Sequence, residues 1–547
     1  MNLSIDFSLL PGYSKLFIDF INKVPFFCNS RFPSNNILLN SKEKLFEKSS
    51  NFLNRDELVK VIKSSMLDLN FTSTQKINLD NLGNNNSLAV VTGQQVGFLG
   101  GPLYTFYKIF GAINLAAQLS EQFKKELNFI PIFWVEDNDH DNLEASQSFL
   151  YDKNYSINKL FCSDSVKKED RTCVSERVFE EDINFKIDSL SEILNNFQFK
   201  DEIIIKLKSI YQPGKKWNTA FTELINSWFA EYGLLIIHSS KAREEGLFAP
   251  LVQKEISQIG YTDSLINSAN KILEKNGYHI QAKSSEINLF FHKNGKRYKI
   301  KKAITNDDSY EVNDKFYSKE ELKNLAKTNP TLFSPNVLLR NVLQDYVLPS
   351  VAYIAGPSEI GYSAQILELY NYFGVEMPEI LSRHSFTIVD NHFSNWLKKN
   401  SLLPEYFFRN YTNIEKELTT QITDKEITNI FENAKARITM EFTSLQDKIS
   451  EIDKTLEASA LAAKHKSIEQ LDHLEKKVIS AQKKKNTQLF EHYHQASNFF
   501  FQNETMQERY FTPINFIALF GEEKFKTMIS DAVSKEADKH YYLMQNF

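Results

Sequence analysis

The chain has 547 residues, 42% hydrophobic and 24% charged, with a formal net charge of -5 at pH 7. That length exceeds one ordinary core and predicts two or three structural units, while the lack of a basic excess argues against general nucleic-acid binding. Its three cysteines, Cys28, Cys162 and Cys173, are widely spaced with no CxxC pair, which excludes a zinc ribbon and a disulfide framework and suits a reducing compartment.

In chain order, residues 1–11 hold Asp6 and no basic stretch ahead of an apolar core, and no later apolar run approaches membrane length. The expectation is a cytoplasmic protein without a membrane partner. Residues 1–150 alternate strand-like and helix-like segments. Ser87-Leu88-Ala89-Val90-Val91 reads as a short buried strand, followed by a glycine-rich turn and by helical spacing over residues 103–119. Residues 129–135 form a second strand, closed by an acidic turn. Strand, helix and strand in this order make a βαβ unit and imply a parallel sheet. This reads as the first half of an α/β core.

Residues 151–333 are less regular and read as an inserted connecting region, although residues 233–238 contain another buried strand. Within it, residues 289–298 predict a β-hairpin, because Asn294-Gly295 supplies the positive φ a two-residue turn requires. The basic run Lys296 to Lys302 reads as a solvated strand face. Residues 334–404 return to α/β character as the second half of the core, with a strand over 347–355 and a Gly-Pro turn opening a helix.

Residues 405–512 contain neither glycine nor proline. Ile438, Phe442, Leu445, Ile449, Ile452 and Leu456 alternate spacings of four and three, as a coiled-coil seam demands, and Ile468, Leu471, Leu474 and Val478 repeat it in a shifted frame. The alanine-rich stretch 458–466 marks either a tight bend or a close helix contact. The pattern leaves open whether this helical arm folds back on itself or pairs with a second subunit. Residues 513–547 regain mixed character and are expected to pack on the core.

Three polar segments carry candidate chemistry. The first, Thr92-Gly93-Gln94-Gln95 through Gly97, Gly100, Gly101 and Tyr104, joins a strand to a helix, where backbone amides favour an anion, and Lys108 lies one turn further on. Its glycine spacing is neither the dinucleotide fingerprint nor a P-loop, and the same glycines also serve a helix that packs tightly on a strand. The second is the acidic turn around Asp139, His140 and Asp141 at the carboxyl end of a strand, where ligands of open α/β sheets bind. Its carboxylates suit a magnesium ion or a histidine held in one tautomer as acid or base; a solvated helix-capping loop has the same composition. In the third, Tyr353, Gly356, Ser358, Glu359, Tyr362 and Gln365 span another strand-to-helix turn. There Glu359 or Ser358 also suits the helix amino terminus. Upstream, Arg340 suits a carboxylate or phosphate, or an ion pair with Asp345.

These segments, with Phe133-Trp134, Gln344-Asp345, Leu348-Pro349, Phe373-Gly374 and Met377-Pro378, resemble the cysteine ligase family of bacillithiol biosynthesis, also called bacillithiol synthases (BshC). The resemblance covers most of the chain and is weakest in residues 151–330 and within the arm. Two departures stand out: Asp137-Asn138 lengthens a turn the family shows as a compact Glu-Asp-His-Asp, and Ser358 stands where the family often has glycine.

The resemblance implies a Rossmann-like core with inserted connecting domains, a homodimer formed through the coiled coil, and cysteine joined to the amine of glucosaminyl-malate as the last step of the pathway. It carries the expectation that Asp139, His140 and Asp141 move a proton or hold a metal of unspecified identity. ATP or ADP with magnesium is the expected activating group, because a carboxylate does not acylate an amine in water unaided. No His-x-Gly-His or Lys-Met-Ser-Lys-Ser signature accompanies it. The alternatives are another nucleotide-dependent transferase or ligase on the same core, or a non-catalytic coiled-coil assembly protein.

Overall fold

A computed structural model describes residues 4–26, 32, 39, 41–124, 126–303 and 309–544; Cys28 lies outside them. The chain divides into two compact units, Met1–Ser394 with Thr505–Phe547, and Asn395–Glu504.

In the first unit the central elements are, in chain order, β1 (Ser87–Gln95), α1 (Tyr104–Gln122), β2 (Asn128–Glu136), β3 (Leu235–His238), β4 (Leu289–Lys293), β5 (Lys296–Lys299), β6 (Phe333–Pro335), α2 (Val337–Val347), β7 (Ser350–Ala355), α3 (Pro357–Ser363) and β8 (Glu379–Ser382). The main sheet has the order β8-β7-β1-β2-β3, and every neighbouring pair is parallel. Counted along the chain this is the doubly wound arrangement, in which strand order reverses between β1 and β7. The strands are buried nearly end to end, as a parallel sheet with both faces covered requires. On one face α1 packs Ala112, Ala116 and Leu119 against Leu88, Val90, Phe129 and Ile354. Each large apolar side chain buried this fully contributes about 1.5–3 kcal/mol.

Several boundaries differ from the sequence expectation. β1 runs four residues further than expected, because β2 continues to Glu136 and pairs with Gly93, Gln94 and Gln95. Val347 ends a helix instead of opening a strand: Asn336 caps α2 by accepting from the Leu338 and Leu339 amides, and the strand begins only at Ser350. The connecting region is not wholly inserted, since its β3 forms an edge of the main sheet. Its hairpin forms as expected, with Asn294 and Gly295 at φ 52° and 71°, and β6 extends it to three strands.

In the second unit, α4 (Lys425–Ile452) and α5 (Glu457–Lys485) lie against each other, with Lys435 reaching Asp472 at 2.6 Å and Glu475 at 2.5 Å. The arm therefore folds back within one chain. The bend lies at residues 453–456, where the Asp453 carboxylate accepts from the Thr455 amide at 2.9 Å, and the alanine-rich stretch is continuous helix. Among the described residues no helix is long and apolar enough to cross a membrane.

Candidate active site

The carboxyl ends of β1, β2 and β7 open onto a cavity of about 670 Å³ at the point where the strand order reverses. Gly93, Gln94 and Gln95 line it from β1, Glu136 and Asp139 from β2 and its turn, and Gly356, Ser358 and Glu359 from the turn after β7. Tyr104, Arg340 and Tyr362 complete that side, and the hairpin with its flanks closes the other. Parallel strands thus gather segments distant in sequence at one edge, where ligands of such sheets bind.

One wall is a tight ionic network. Lys108 projects from α1 with its side chain 1% exposed, donating to the Gly93 carbonyl at 2.5 Å and to Glu359 at 2.7 Å. The Tyr353 hydroxyl donates to the other Glu359 oxygen at 2.7 Å, and the Gly356 amide donates at 2.6 Å. Arg340 stands 3.8 Å from Glu359 and donates to the Tyr362 hydroxyl at 2.7 Å. Burial pushes the Glu359 carboxyl up, but Lys108 and Arg340 outweigh it and hold it below the usual carboxylate range. Burial likewise lowers Lys108, against the opposing pull of Glu359. Lys108 is thus committed to a protein carboxylate. Arg340 has not paired with Asp345, which binds Tyr370 at 2.5 Å. Thr92 lies behind the wall, its hydroxyl donating to the Ile354 carbonyl at 2.9 Å and tying β1 to β7.

The acidic turn divides its residues. Asp139 accepts from Arg297 at 3.1 Å, from the His140 amide at 2.7 Å and from the Gln95 side chain. Burial raises Asp139, yet Arg297 and these donors together hold it low. His140 is not among the lining residues; its Nδ1 lies 3.5 Å from Asp139 and its ring rests edge-on against Phe290. Burial, then Arg297, lowers its proton affinity. Asp141 is exposed and caps the helix Asn142–Ser146, accepting from the Glu144 amide at 3.1 Å. Asp137 turns away from the cavity. Burial raises it, but hydrogen bonds with His238, Ser240 and Asn218 prevail and hold it low.

Gly97, Gly100 and Gly101 also stand away from the lining. A Cβ on Gly97 would meet Gly101 Cα at 2.7 Å, and one on Gly100 would meet the Trp228 ring at 2.8 Å. These glycines permit close packing. Gln365, despite sharing a turn with Tyr362, is spent on Asn270 and on the Ala282 backbone.

Several cavity residues escape the sequence reading, among them Arg297, Glu136, Arg383 and Arg509. Arg297 is buried in β5, held by Ser334, Pro335 and Asp139 and stacked 4.0 Å over Phe290, so the basic run is not wholly a solvated face. Its signal was alternation: inward positions of a hairpin fall every second residue. Glu136 ends β2 facing the cavity. Arg383 and Arg509 flank Tyr104, at 4.9 and 5.9 Å from its ring centre, and no local pattern marks either. Among the described residues no group of three or more His, Cys, Asp or Glu side chains is placed to hold a metal ion.

Two family models match this chain: the N-terminal Rossmann-like domain of bacillithiol biosynthesis BshC over residues 5–384, and the C-terminal coiled-coil domain of the same family over residues 386–544. Proteins named "Putative cysteine ligase BshC" are similar along most of their length. The one from Chlorobaculum tepidum is 28% identical, covering 87% of this chain and 86% of the relative. The one from Chloroherpeton thalassium is 30% identical, covering 83% and 82%. That from Flavobacterium psychrophilum is 29% identical over 95% of both chains. A doubly wound core, a helical arm and two family models spanning nearly all residues agree: the chain belongs to the BshC family of bacillithiol biosynthesis.

Proposed function

We propose that this chain is a ligase that joins the carboxyl of cysteine to the amine of glucosaminyl-malate, forming the amide of bacillithiol as the last step of the pathway. The observation that carries the reading is the charge pattern of the cavity. Arg297, Arg340 and Arg383 have acidic partners in the protein. Arg509, Lys283 and Lys299 also line the cavity but have no ion-pair partner among the described residues. A set of uncommitted cations around a polar crevice suits a substrate bearing carboxylates, as the malate end of glucosaminyl-malate and cysteine itself do.

The wall of Lys108, Glu359, Tyr353 and Arg340 gives this crevice a fixed shape. In the proposed division of labour, Gln94, Tyr104, Ser358 and Tyr362 orient polar groups of the substrate. Asp139 holds Arg297 and Gln95 at the rim, with His140 behind it. The glycine segment does not fit as a phosphate cradle, because Gly97 to Gly101 are enclosed by protein. The anion-binding role passes to the arginines. Magnesium would arrive with nucleotide phosphates, since the acidic turn offers no ready cage.

Dimerisation through the arm is part of this proposal. The folded-back helices leave Met440, Ile452 and Leu474 71%, 82% and 51% exposed, and a second copy would cover them. The setting is the cytoplasm.

Incubating the full chain with glucosaminyl-malate, cysteine, ATP and magnesium tests the reaction. Bacillithiol detected by mass is expected; glucosaminyl-malate left intact, with a control ligase active in the same buffer, contradicts it.

A further inference from the structure

Besides Glu144 and Glu286 further round the wall, three carboxylates face the cavity from the strand ends and the turns directly after them, and two of these are neutralised within the protein. Glu359 has Lys108 at 2.7 Å and Asp139 has Arg297 at 3.1 Å. Glu136 differs. It lies at the end of β2 and lines the same cavity, 7% exposed, with no cation within ion-pair distance among the described residues. Its hydrogen-bond donors are neutral: Trp134 Nε1 at 3.3 Å and the Ser239 hydroxyl at 2.9 Å. The Ser239 oxygen also lies 3.1 Å from Asp137, so one proton serves two carboxylates. A buried carboxylate without a cation is costly unless something cationic completes it or a proton neutralises it.

We propose that Glu136 is the catalytic residue that receives the amine of the acceptor substrate, pairing with it as an ammonium and then taking its proton. The inference deepens the proposed function and rests on it. The ammonium gives one proton to Glu136, which frees the nitrogen lone pair. That pair attacks the carbonyl carbon of an activated acyl form of cysteine whose leaving group is a phosphate oxygen. The nitrogen–carbon bond forms and the carbon–oxygen bond breaks, its electrons going to the leaving phosphate. The second nitrogen proton departs with that phosphate. Burial raises the proton affinity of Glu136 above that of an ordinary carboxylate, although Arg340 and Arg297 act against it, and this suits an acceptor for an amine proton.

The pairing can be read from binding, without activity. Calorimetry would compare glucosaminyl-malate with glucosyl-malate, in which a hydroxyl replaces the amine, on the wild-type chain and on Glu136→Gln and Glu136→Asp. The wild type is expected to prefer the amine about ten- to a hundredfold. Glu136→Gln should remove that preference with glucosyl-malate affinity unchanged, which also reports an intact cavity, and Glu136→Asp should keep part of it. A preference surviving in Glu136→Gln overturns the role of Glu136 and leaves the proposed reaction standing. Failure of the wild type to bind either compound overturns both.

Discussion

Lys108 Nζ lies 2.7 Å from the Glu359 carboxylate, linking the first helix of the core to the turn after β7 across the reversal of strand order. Both groups are withdrawn from water, so removing Lys108 leaves the Glu359 charge with only the more distant Arg340, at 3.8 Å, and removing Glu359 takes from Lys108 the carboxylate that balances it. Lys108→Met should cost about 3–5 kcal/mol of stability, and Glu359→Gln added to it should restore much of the loss. Denaturant unfolding of the single and double variants checks this; equal midpoints for wild type and Lys108→Met would show the pair to be dispensable.

Gly100 has φ +87° and its missing Cβ points at Trp228. Gly100→Ala should therefore lower stability by on the order of 2–4 kcal/mol, from backbone strain and overpacking together. The folded fraction should bind glucosaminyl-malate as the wild type does. Weakened binding with unchanged unfolding would restore the glycine segment as an anion site.

These two positions show what was legible in the sequence. Apolar runs around β1 and β2, with helical spacing between them, reveal the βαβ unit, and Asn294-Gly295 reveals the hairpin. The same reading places the turns of Gln94, His140 and Glu359 at one sheet edge; Gln94, Glu359 and the neighbouring Asp139 line the cavity, and His140 does not. What local pattern does not reveal is where a side chain spends its hydrogen bonds. Lys108 is bound to a residue 251 positions away, and Gln365 turns to a loop 83 positions away. The alanine-rich stretch suits either a bend or a close helix contact; the bend lies just ahead of it, where Asp453 caps the turn between two heptad runs in different frames. Arg509 reaches the cavity only because the chain returns to the core after the arm, and Arg383, which directly follows β8, is paired there with Glu508 from that returning segment.

Arg509 is exposed and has no ion-pair partner among the described residues, so its loss should touch binding more than folding. Arg509→Ala is expected to weaken glucosaminyl-malate binding about three- to tenfold at low salt, with a smaller effect at high salt and an unchanged unfolding temperature. Titrations at two ionic strengths check it. An affinity independent of both salt and residue 509 would remove Arg509 from the site.

Glu255 is buried beneath the hairpin wall, accepting from the Asn288 amide and the Thr262 hydroxyl, both at 2.9 Å. Burial raises its carboxyl from 4.5 to about 7, against those two hydrogen bonds. Between these values the folded chain holds a proton that the unfolded chain has released. The stability from this group is full below pH 4.5 and is lost as pH rises through about 7. Glu255→Gln, which has no proton to lose, should be more stable than the wild type at pH 8 by on the order of 1–3 kcal/mol. Unfolding curves at pH 5 and pH 8 check it, and an equal difference at both would refute the linkage.

The most direct test of the ligase account is mass spectrometry of low-molecular-weight thiols in cells that make bacillithiol, with this chain as the only copy of its family. Deleting it should abolish bacillithiol and accumulate glucosaminyl-malate, and the wild-type chain should reverse both. Bacillithiol at its normal level in the deletion strain, with no build-up of glucosaminyl-malate, would contradict the account.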